Sequence, residues 1–305
     1  MLPKCVCCEA DAVTLVGPIP PAICFAGRTL STPLVGGDLF RCGSCGLAFR
    51  YPSLDKAELD ALYRRGKAEN WQAPQKTRVD WKIANQWLSR YLKPDGAILD
   101  VGCYDGGFLR SIGSGYRRYG IEMHEAAQKK AQNRGIHILG ADFATLSEAK
   151  EDFDVVVAFD VIEHTHNPFA FLSDLAKVTR ENGMIIISTG NTDALSWRIM
   201  GSSYWYCSVA EHLSFVNPRW CEWAARGVDL ELVQVIKFSH ASAAWWKRMD
   251  EMIKNILYVA SPRGFAWLRA AGLGGSEYRA HDELLSYPPH WMSAKDHFIM
   301  LFRRN

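Results

Sequence analysis

The chain has 305 residues, 48% of them apolar, so it can bury a sizeable core, with room for one large domain and a small one. Its 35 basic and 33 acidic residues leave a formal charge of +2, which excludes a strong overall pull toward nucleic acid or an anionic membrane. No apolar run approaches the roughly 18 residues of a membrane span. Met1-Leu2-Pro3-Lys4-Cys5 also lacks the apolar stretch of a secretory signal, so the expected compartment is the cytoplasm and the expected state of the nine cysteines is reduced or metal-bound.

Five of those cysteines lie in the first 42 residues. Cys5-x-x-Cys8 and Cys42-x-x-Cys45 match the spacing at which two cysteine pairs converge on one tetrahedral zinc ion. Residues 1–52 are therefore expected to form a zinc-binding module with Cys5, Cys8, Cys42 and Cys45 as ligands. Cys7 is a spare neighbour that could replace Cys8, and a set of buried thiols or a redox pair is the competing reading. Four thiolates would complete the coordination sphere, which makes such an ion structural rather than catalytic.

Residues 53–93 read as a helical linker. Ser53 and Asp55 can cap a helix whose stripe is Leu54, Ala57, Leu59, Ala61 and Leu62, stopped by Gly66. Trp81, Ile83, Ala84, Trp87, Leu88 and Tyr91 are spaced for a second amphipathic helix, ended by Lys93-Pro94-Asp95-Gly96.

Ala97 to Phe108 is the most informative stretch: a buried strand ending in Asp100, a glycine-rich turn through Gly102 and Gly106, and a new helix. Glu122 follows Asp100 by 22 residues, at the end of Tyr119-Gly120-Ile121, where the acid of a nucleoside-binding α/β domain meets ribose hydroxyls. A dinucleotide fingerprint would need glycine at 104, and that position is Tyr104. Strand and helix signals then alternate through Phe153–Phe159, Ile185–Thr189 and Leu230–Phe238, with a last strand at His297–Arg303, which favours a parallel sheet covered on both faces. Residues 241–291 are aromatic and helix-like with glycine and proline breakers, an insertion able to cover a site.

The order of these motifs resembles the class I S-adenosylmethionine-dependent methyltransferase family. Asp100-Val101-Gly102-Cys103-Tyr104-Asp105-Gly106 is similar to its first motif, Asp160-Val161-Ile162-Glu163-His164 to its post-strand loop, and Glu211-His212-Leu213-Ser214-Phe215 to its later segment. The resemblance implies a Rossmann-like seven-stranded methyltransferase sheet over residues 94–305, with the small zinc module in front, a cofactor lid over 53–93 and the helical insertion before the last strand. It also implies an S-adenosylmethionine site drawn from Asp100, Gly102, Cys103, Gly106, Glu122, Met123, Asp142, Phe143 and Asp160. Met123 could equally be ordinary core.

Methyl transfer to a hydroxyl needs alignment and a base. His212 and His164 are the candidates, each also readable as a histidine that merely orders its loop; His166 is a weaker third. Asp160, Glu163 and His164 further resemble the E-x-x-E-H loop of quinone-biosynthesis O-methyltransferases, which leaves a second metal there an open question. Of the seven aromatic residues at 197, 204, 205, 206, 215, 220 and 223, two or three are expected in a pocket and the rest in core.

The cysteine module, with Cys42 to Leu47 followed by Pro52, resembles the segment in front of sugar and polysaccharide-cluster methyltransferases. The expected reaction is therefore O-methylation of a sugar hydroxyl on a nucleotide-linked sugar or glycan intermediate, with a small-molecule or glycan acceptor and neither nucleic acid nor membrane insertion. The alternatives are a quinone or phenol O-methyltransferase, a ribosomal RNA methyltransferase and a non-catalytic scaffold. Eight basic against seven acidic residues in the first 70 argue against the RNA reading. The sequence leaves the oligomeric state open.

Overall fold

In a computed structural model that describes residues 2–66, 78–149, 153–241, 243–272, 285 and 287–305, the cysteine pairs flank a small antiparallel sheet. Its strands are β1 (Val13–Pro18), β4 (Asp38–Cys42) and β5 (Ala48–Tyr51), while β2 (Ala22–Phe25) and β3 (Arg28–Leu34) form a separate hairpin between them. That hairpin takes up the long gap between the two cysteine pairs. Next come α1 (Lys56–Arg65), capped by Asp55 accepting from Glu58 N–H at 2.7 Å, and α2 (Val79–Tyr91). Asp55 rather than Ser53 starts the first helix.

The elements of the α/β domain follow in strict alternation: β6 (Ala97–Val101), α3 (Gly107–Ser111), β7 (Arg117–Ile121), α4 (Glu125–Gln132), β8 (His137–Gly140), α5 (Ala144–Glu148), β9 (Phe153–Phe159), α6 (Pro168–Val178) and β10 (Thr179–Gly190). Then α7 (Leu195–Met200), β11 (Ser214–Phe215), α8 (Pro218–Gly227), β12 (Leu230–Phe238), α9 (Trp245–Ala260), α10 (Pro262–Ala270) and β13 (His297–Arg304) complete the chain. Seven strands form one sheet in the order β12-β13-β10-β9-β6-β7-β8. The strands β10, β9, β6, β7 and β8 run parallel, and β13 is antiparallel to both β10 and β12. Asn167 and Asn217 cap α6 and α8, each followed by a proline at the first helical position, so sequence chemistry sets both helix starts.

Phe153-Asp154-Val155-Val156-Val157-Ala158-Phe159 is buried along nearly its whole length because helices cover both faces of the sheet. On one face Ala84, Trp87 and Leu88 of α2 pack on Ile98, Val155 and Val157. The body of α2 is thus core, while its start reaches the cavity through Arg78 and Trp81, and α1 edges the cavity through Lys56, Leu59, Asp60 and Tyr63. The other face buries Phe171, Leu172, Leu175 and Trp220, and the same cluster takes in Cys5, Phe40, Cys42, Cys45, Leu47 and Phe49. The amino-terminal module therefore shares a core with the α/β domain. A two-residue ladder joins them, Ser214↔Phe49 and Phe215↔Ala48.

The expected insertion contains α9 and α10, which pack on each other, with α9 also packed on α7. Its predicted breaker Gly274-Gly275 lies outside the described residues. No helix among the described residues is long and apolar enough to cross a membrane.

Candidate functional site

The carboxyl ends of β6, β7, β8 and β9 open into a cavity of about 1020 Å³, where ligands bind in open α/β sheets. At one end lies the loop after β6. Gly102 has φ +78°, and a Cβ there would sit 2.7 Å from Val161 Cγ2, so glycine is required both by conformation and by space. Tyr104 has φ +47°, the left-handed region a glycine would ordinarily fill, at a cost of about 1–2 kcal/mol. Its N–H donates to Glu122 Oε2 at 2.8 Å, a bond to a carboxylate worth roughly 1.5–3 kcal/mol, which offsets that cost. The loop keeps its bend without the middle glycine.

Glu122 Oε1 accepts from the His124 N–H at 2.8 Å, so both carboxylate oxygens are fixed by backbone donors and each keeps a lone pair for a ligand. Burial pushes the Glu122 carboxyl up, against the opposing pull of those N–H groups. Asp100 is 3% exposed beneath the loop; burial raises it well above the carboxylate range, partly countered by Arg78. Met123 and Phe143 line the cavity at 43% and 38% exposure, so neither is core, and Asp142 lies beside them. Cys103 also lines it, with its thiol pushed up by burial and packed where a Cβ on Gly120 would lie 2.4 Å from the sulfur. Of the nine expected cofactor residues Gly106 alone does not reach the cavity: it starts α3 with its α-carbon turned toward Ile136.

At the other end, His212 and His164 meet with ring centroids 4.9 Å apart. His212 Nδ1 lies 2.9 Å from the Tyr206 carbonyl, which only accepts, so Nδ1 carries the proton and Nε2 the lone pair. Burial lowers the pKa of both rings, most strongly that of His212, which is also beside His164. His164 Nδ1 is paired with the Tyr63 hydroxyl at 2.7 Å. His166 instead donates to the Leu54 carbonyl at 2.8 Å, on the rim. Glu163, 1% exposed, accepts from Tyr206 Oη at 2.5 Å and Thr189 Oγ1 at 2.9 Å. Burial, reinforced by Asp160, raises its carboxyl to about 7. Of the seven clustered aromatic residues, Trp205 and Tyr206 line the cavity, while Trp197, Tyr204, Phe215 and Trp220 are buried in core.

Asp160 does not join Glu163 and His164 in one ligand set. It has φ +54° and an ion pair from Oδ2 to Arg78 at 2.6 Å, and its nearest ligand-type neighbours are His240 and His297, whereas Glu163 and His164 group with His212. Sequence reasoning missed Arg78, His240, Asp296 and His297, all of which line the cavity. It also missed Arg50, 5% exposed, which donates to the carbonyls of Gly36, Cys207, Val209 and His212 and so ties the His212 loop to the amino-terminal sheet.

The four expected zinc ligands do come together. Their sulfurs all lie within 4.8 Å of one another, with Cys5–Cys45 at 3.6 Å and Cys8–Cys42 at 3.5 Å. Tetrahedral Zn–S bonds of about 2.3 Å place sulfurs about 3.8 Å apart, so the donor set fits zinc. Cys7 points away, to Asn167 Oδ1 at 3.5 Å, with burial pushing its thiol up to about 12.

A family profile described as "Methyltransferase domain" matches residues 76–235. A ubiquinone biosynthesis O-methyltransferase of Parvibaculum lavamentivorans is 32% identical over 129 residues, 38% of this chain and 50% of that enzyme. Enzymes of the same name from Leptothrix cholodnii and Pasteurella multocida are 24% and 26% identical over 56% of this chain, and the matches span 81% and 83% of their lengths. Among solved structures, a chain of the Haloferax volcanii complex between the Trm112 methyltransferase activator and a methyltransferase aligns with a TM-score of 0.50 at 14% identity, covering 81% of this chain and 97% of that one. With the profile spanning just over half of the residues and the seven-stranded sheet in place beneath the cavity, the chain belongs to the class I S-adenosylmethionine-dependent methyltransferase family.

Proposed function

We propose that the chain methylates a hydroxyl of a small phenolic acceptor, with His212 as the base. The reading rests on one observation: a buried imidazole whose tautomer is fixed by the Tyr206 carbonyl, beside the Tyr63, Trp205 and Tyr206 rings of the same cavity. Lowered basicity favours an acidic hydroxyl. A phenol loses its proton near pH 10, as tyrosine does, whereas an aliphatic hydroxyl lies nearer the 15.7 of water, and each unit adds about 1.4 kcal/mol to the transfer. The relatives named ubiquinone biosynthesis O-methyltransferases support the same acceptor class.

Bound S-adenosylmethionine supplies an electrophilic methyl group. Glu122 would hold its ribose, Met123, Asp142 and Phe143 its adenine side, and the Asp100–Gly102 loop its amino-acid end. His212 Nε2 takes the acceptor proton, and the resulting cation is stabilised by the Tyr206 carbonyl on Nδ1–H. Tyr63 orients His164.

The sugar acceptor expected from the amino-terminal module is the second reading. It is favoured by the polar wall of Asp160, Glu211, His240 and Asp296, which suits a polyol. Incubating the chain with S-adenosylmethionine and either dihydroxybenzoates or nucleotide-linked sugars, followed by mass spectrometry, separates the two. Methylated phenol is the expected product; methylation of the sugar alone overturns the phenolic reading. His212→Gln is expected to lower turnover about a hundredfold while cofactor affinity, read by calorimetry, stays within about twofold. Full activity in that variant moves the base to His164.

We further infer that Cys5, Cys8, Cys42 and Cys45 hold one structural zinc ion, and that the acceptor reaches the cavity free in solution, with neither nucleic acid nor membrane insertion involved. The near-balanced charge of the chain supports a cytoplasmic small-molecule enzyme.

A further inference from the structure

We propose that Asp160, His240 and His297 form a second metal site, in the cavity wall, for one divalent ion of the class held by imidazole and carboxylate ligands, such as Zn²⁺, Fe²⁺ or Mn²⁺. The three side chains come from three strands at the same end of one sheet: Asp160 follows β9, His240 follows β12 and His297 begins β13, which runs antiparallel between β12 and β10. One donor atom from each lies within 4.8 Å of the others. Metal–ligand bonds of about 2.0–2.2 Å place neighbouring donors roughly 3–3.5 Å apart, a spacing that small side-chain rotations reach.

Each donor is prepared for an ion. Arg78 occupies Asp160 Oδ2 at 2.6 Å and leaves Oδ1 buried with no hydrogen-bond partner among the described residues, a costly state for a carboxylate oxygen unless a cation meets it. His297 Nδ1 donates to Asp296 Oδ1 at 2.9 Å, which turns its Nε2 lone pair outward; Asp296 is itself fixed by the Tyr204 hydroxyl at 2.5 Å. A carboxylate behind an imidazole is the arrangement that sets the tautomer of a metal-bound histidine. The His240 ring lies across that of His297, with centroids 4.5 Å apart and planes at 72°.

Charge points the same way. Asp80 and Asp160 share a single guanidinium, Arg78, and Asp296 stands behind His297, so with neutral imidazoles the three carboxylates and one guanidinium carry a net charge of about −2 that one divalent ion balances. Two imidazoles and one carboxylate leave coordination positions open to the cavity, unlike the closed cysteine site. Glu163 is not part of this set: its ligand-type neighbours are His164 and His212. The site stands independently of which acceptor the enzyme takes.

Elemental analysis of the zinc-loaded full chain, equilibrated with Co²⁺ and then dialysed, tests the site. The expected result is one Co²⁺ per chain in addition to the cysteine-bound zinc, with weak visible absorption and no sulfur-to-cobalt charge-transfer band. His240→Ala and Asp160→Asn should each weaken Co²⁺ binding at least tenfold, and Asp296→Asn about 10–100-fold through loss of the fixed tautomer. Thermal unfolding of each variant checks that it is folded; His240 is half-buried and its removal leaves the sheet intact. Glu163→Gln should bind Co²⁺ as the parent does. A parent chain that retains only the cysteine-bound metal overturns the proposal, as does a folded His240→Ala that binds Co²⁺ like the parent. Loss of binding in Glu163→Gln alone also overturns it, by placing the ion with His164 and His212.

Discussion

Tyr104 and Glu122 depend on each other. The Tyr104 N–H reaches Glu122 Oε2 only because the backbone at 104 enters the left-handed region, and that bend is held in turn by the carboxylate. Glu122→Ala therefore removes the two oxygens proposed to hold the ribose and also the acceptor of two part-buried N–H groups, those of Tyr104 and His124. With bonds to a charged group worth about 1.5–3 kcal/mol each, S-adenosylmethionine affinity should fall at least tenfold, and Glu122→Gln, which keeps one acceptor oxygen, should lose less. Titration calorimetry on the folded variants reads this directly; unchanged affinity in Glu122→Ala would remove the residue from the cofactor site. Residues of this kind were legible because a strand, a glycine turn and a spaced acid form a local pattern. Asp296, His297 and His240 were not, since they reach the cavity only after β13 has paired antiparallel with β10 and β12 with β13, and no short spacing announces that pairing.

Among the elements, β11 carries more weight than its two residues suggest. It adds Ser214 and Phe215 to the amino-terminal sheet beside β5, one residue past the His212-Leu213 pair, and Arg50 of β5 donates to the His212 carbonyl at 3.1 Å. A module read from its cysteines alone looks detachable, and on that reading chelation would unfold it while sparing the α/β domain. The shared core of Cys5, Cys42, Phe49, Val156 and Trp220 alters that expectation. Loss of a zinc ion at the four cysteines should lower the melting temperature of the whole chain in one transition, by about 2 °C for each 1 kcal/mol lost in a cooperative unit of this size. Turnover should fall before cofactor binding does, because the His212 loop loses its anchor first. Scanning calorimetry with and without a zinc chelator, paired with calorimetric titration of the cofactor, is the check; a separate low-temperature transition with unaffected turnover would restore the detachable module. The helices and the strands of the large sheet, by contrast, stood out from periodicity: Leu230–Phe238 is found as expected, and His297–Arg304 extends the expected last strand by one residue.

At the scale of the whole molecule, stability should carry the signature of one buried acid. Glu163 has a folded-state carboxyl at about 7 because burial, helped by the nearby Asp160 charge, outweighs the hydrogen bonds from Tyr206 and Thr189. In the unfolded chain the same group titrates near 4.3, so between those values the folded protein holds the extra proton. The sign follows from linkage: with more protons bound in the folded than in the unfolded state, stability falls as pH rises, and the contribution of Glu163 is fully present below about pH 4 and lost by about pH 8. Other buried groups act in the same window, with His164 and His212 held neutral and opposing the trend. The difference between parent and Glu163→Gln isolates one group, since glutamine keeps a neutral, hydrogen-bonding shape at every pH. From pH 5 to pH 8 the Gln variant should gain on the parent by up to about 3 kcal/mol, roughly 1.4 kcal/mol for each unit of the shift. Urea midpoints measured for both proteins across that range supply the comparison. Parallel profiles would mean that Glu163 stays ionised through the window, with its two hydroxyl donors holding the charge against burial.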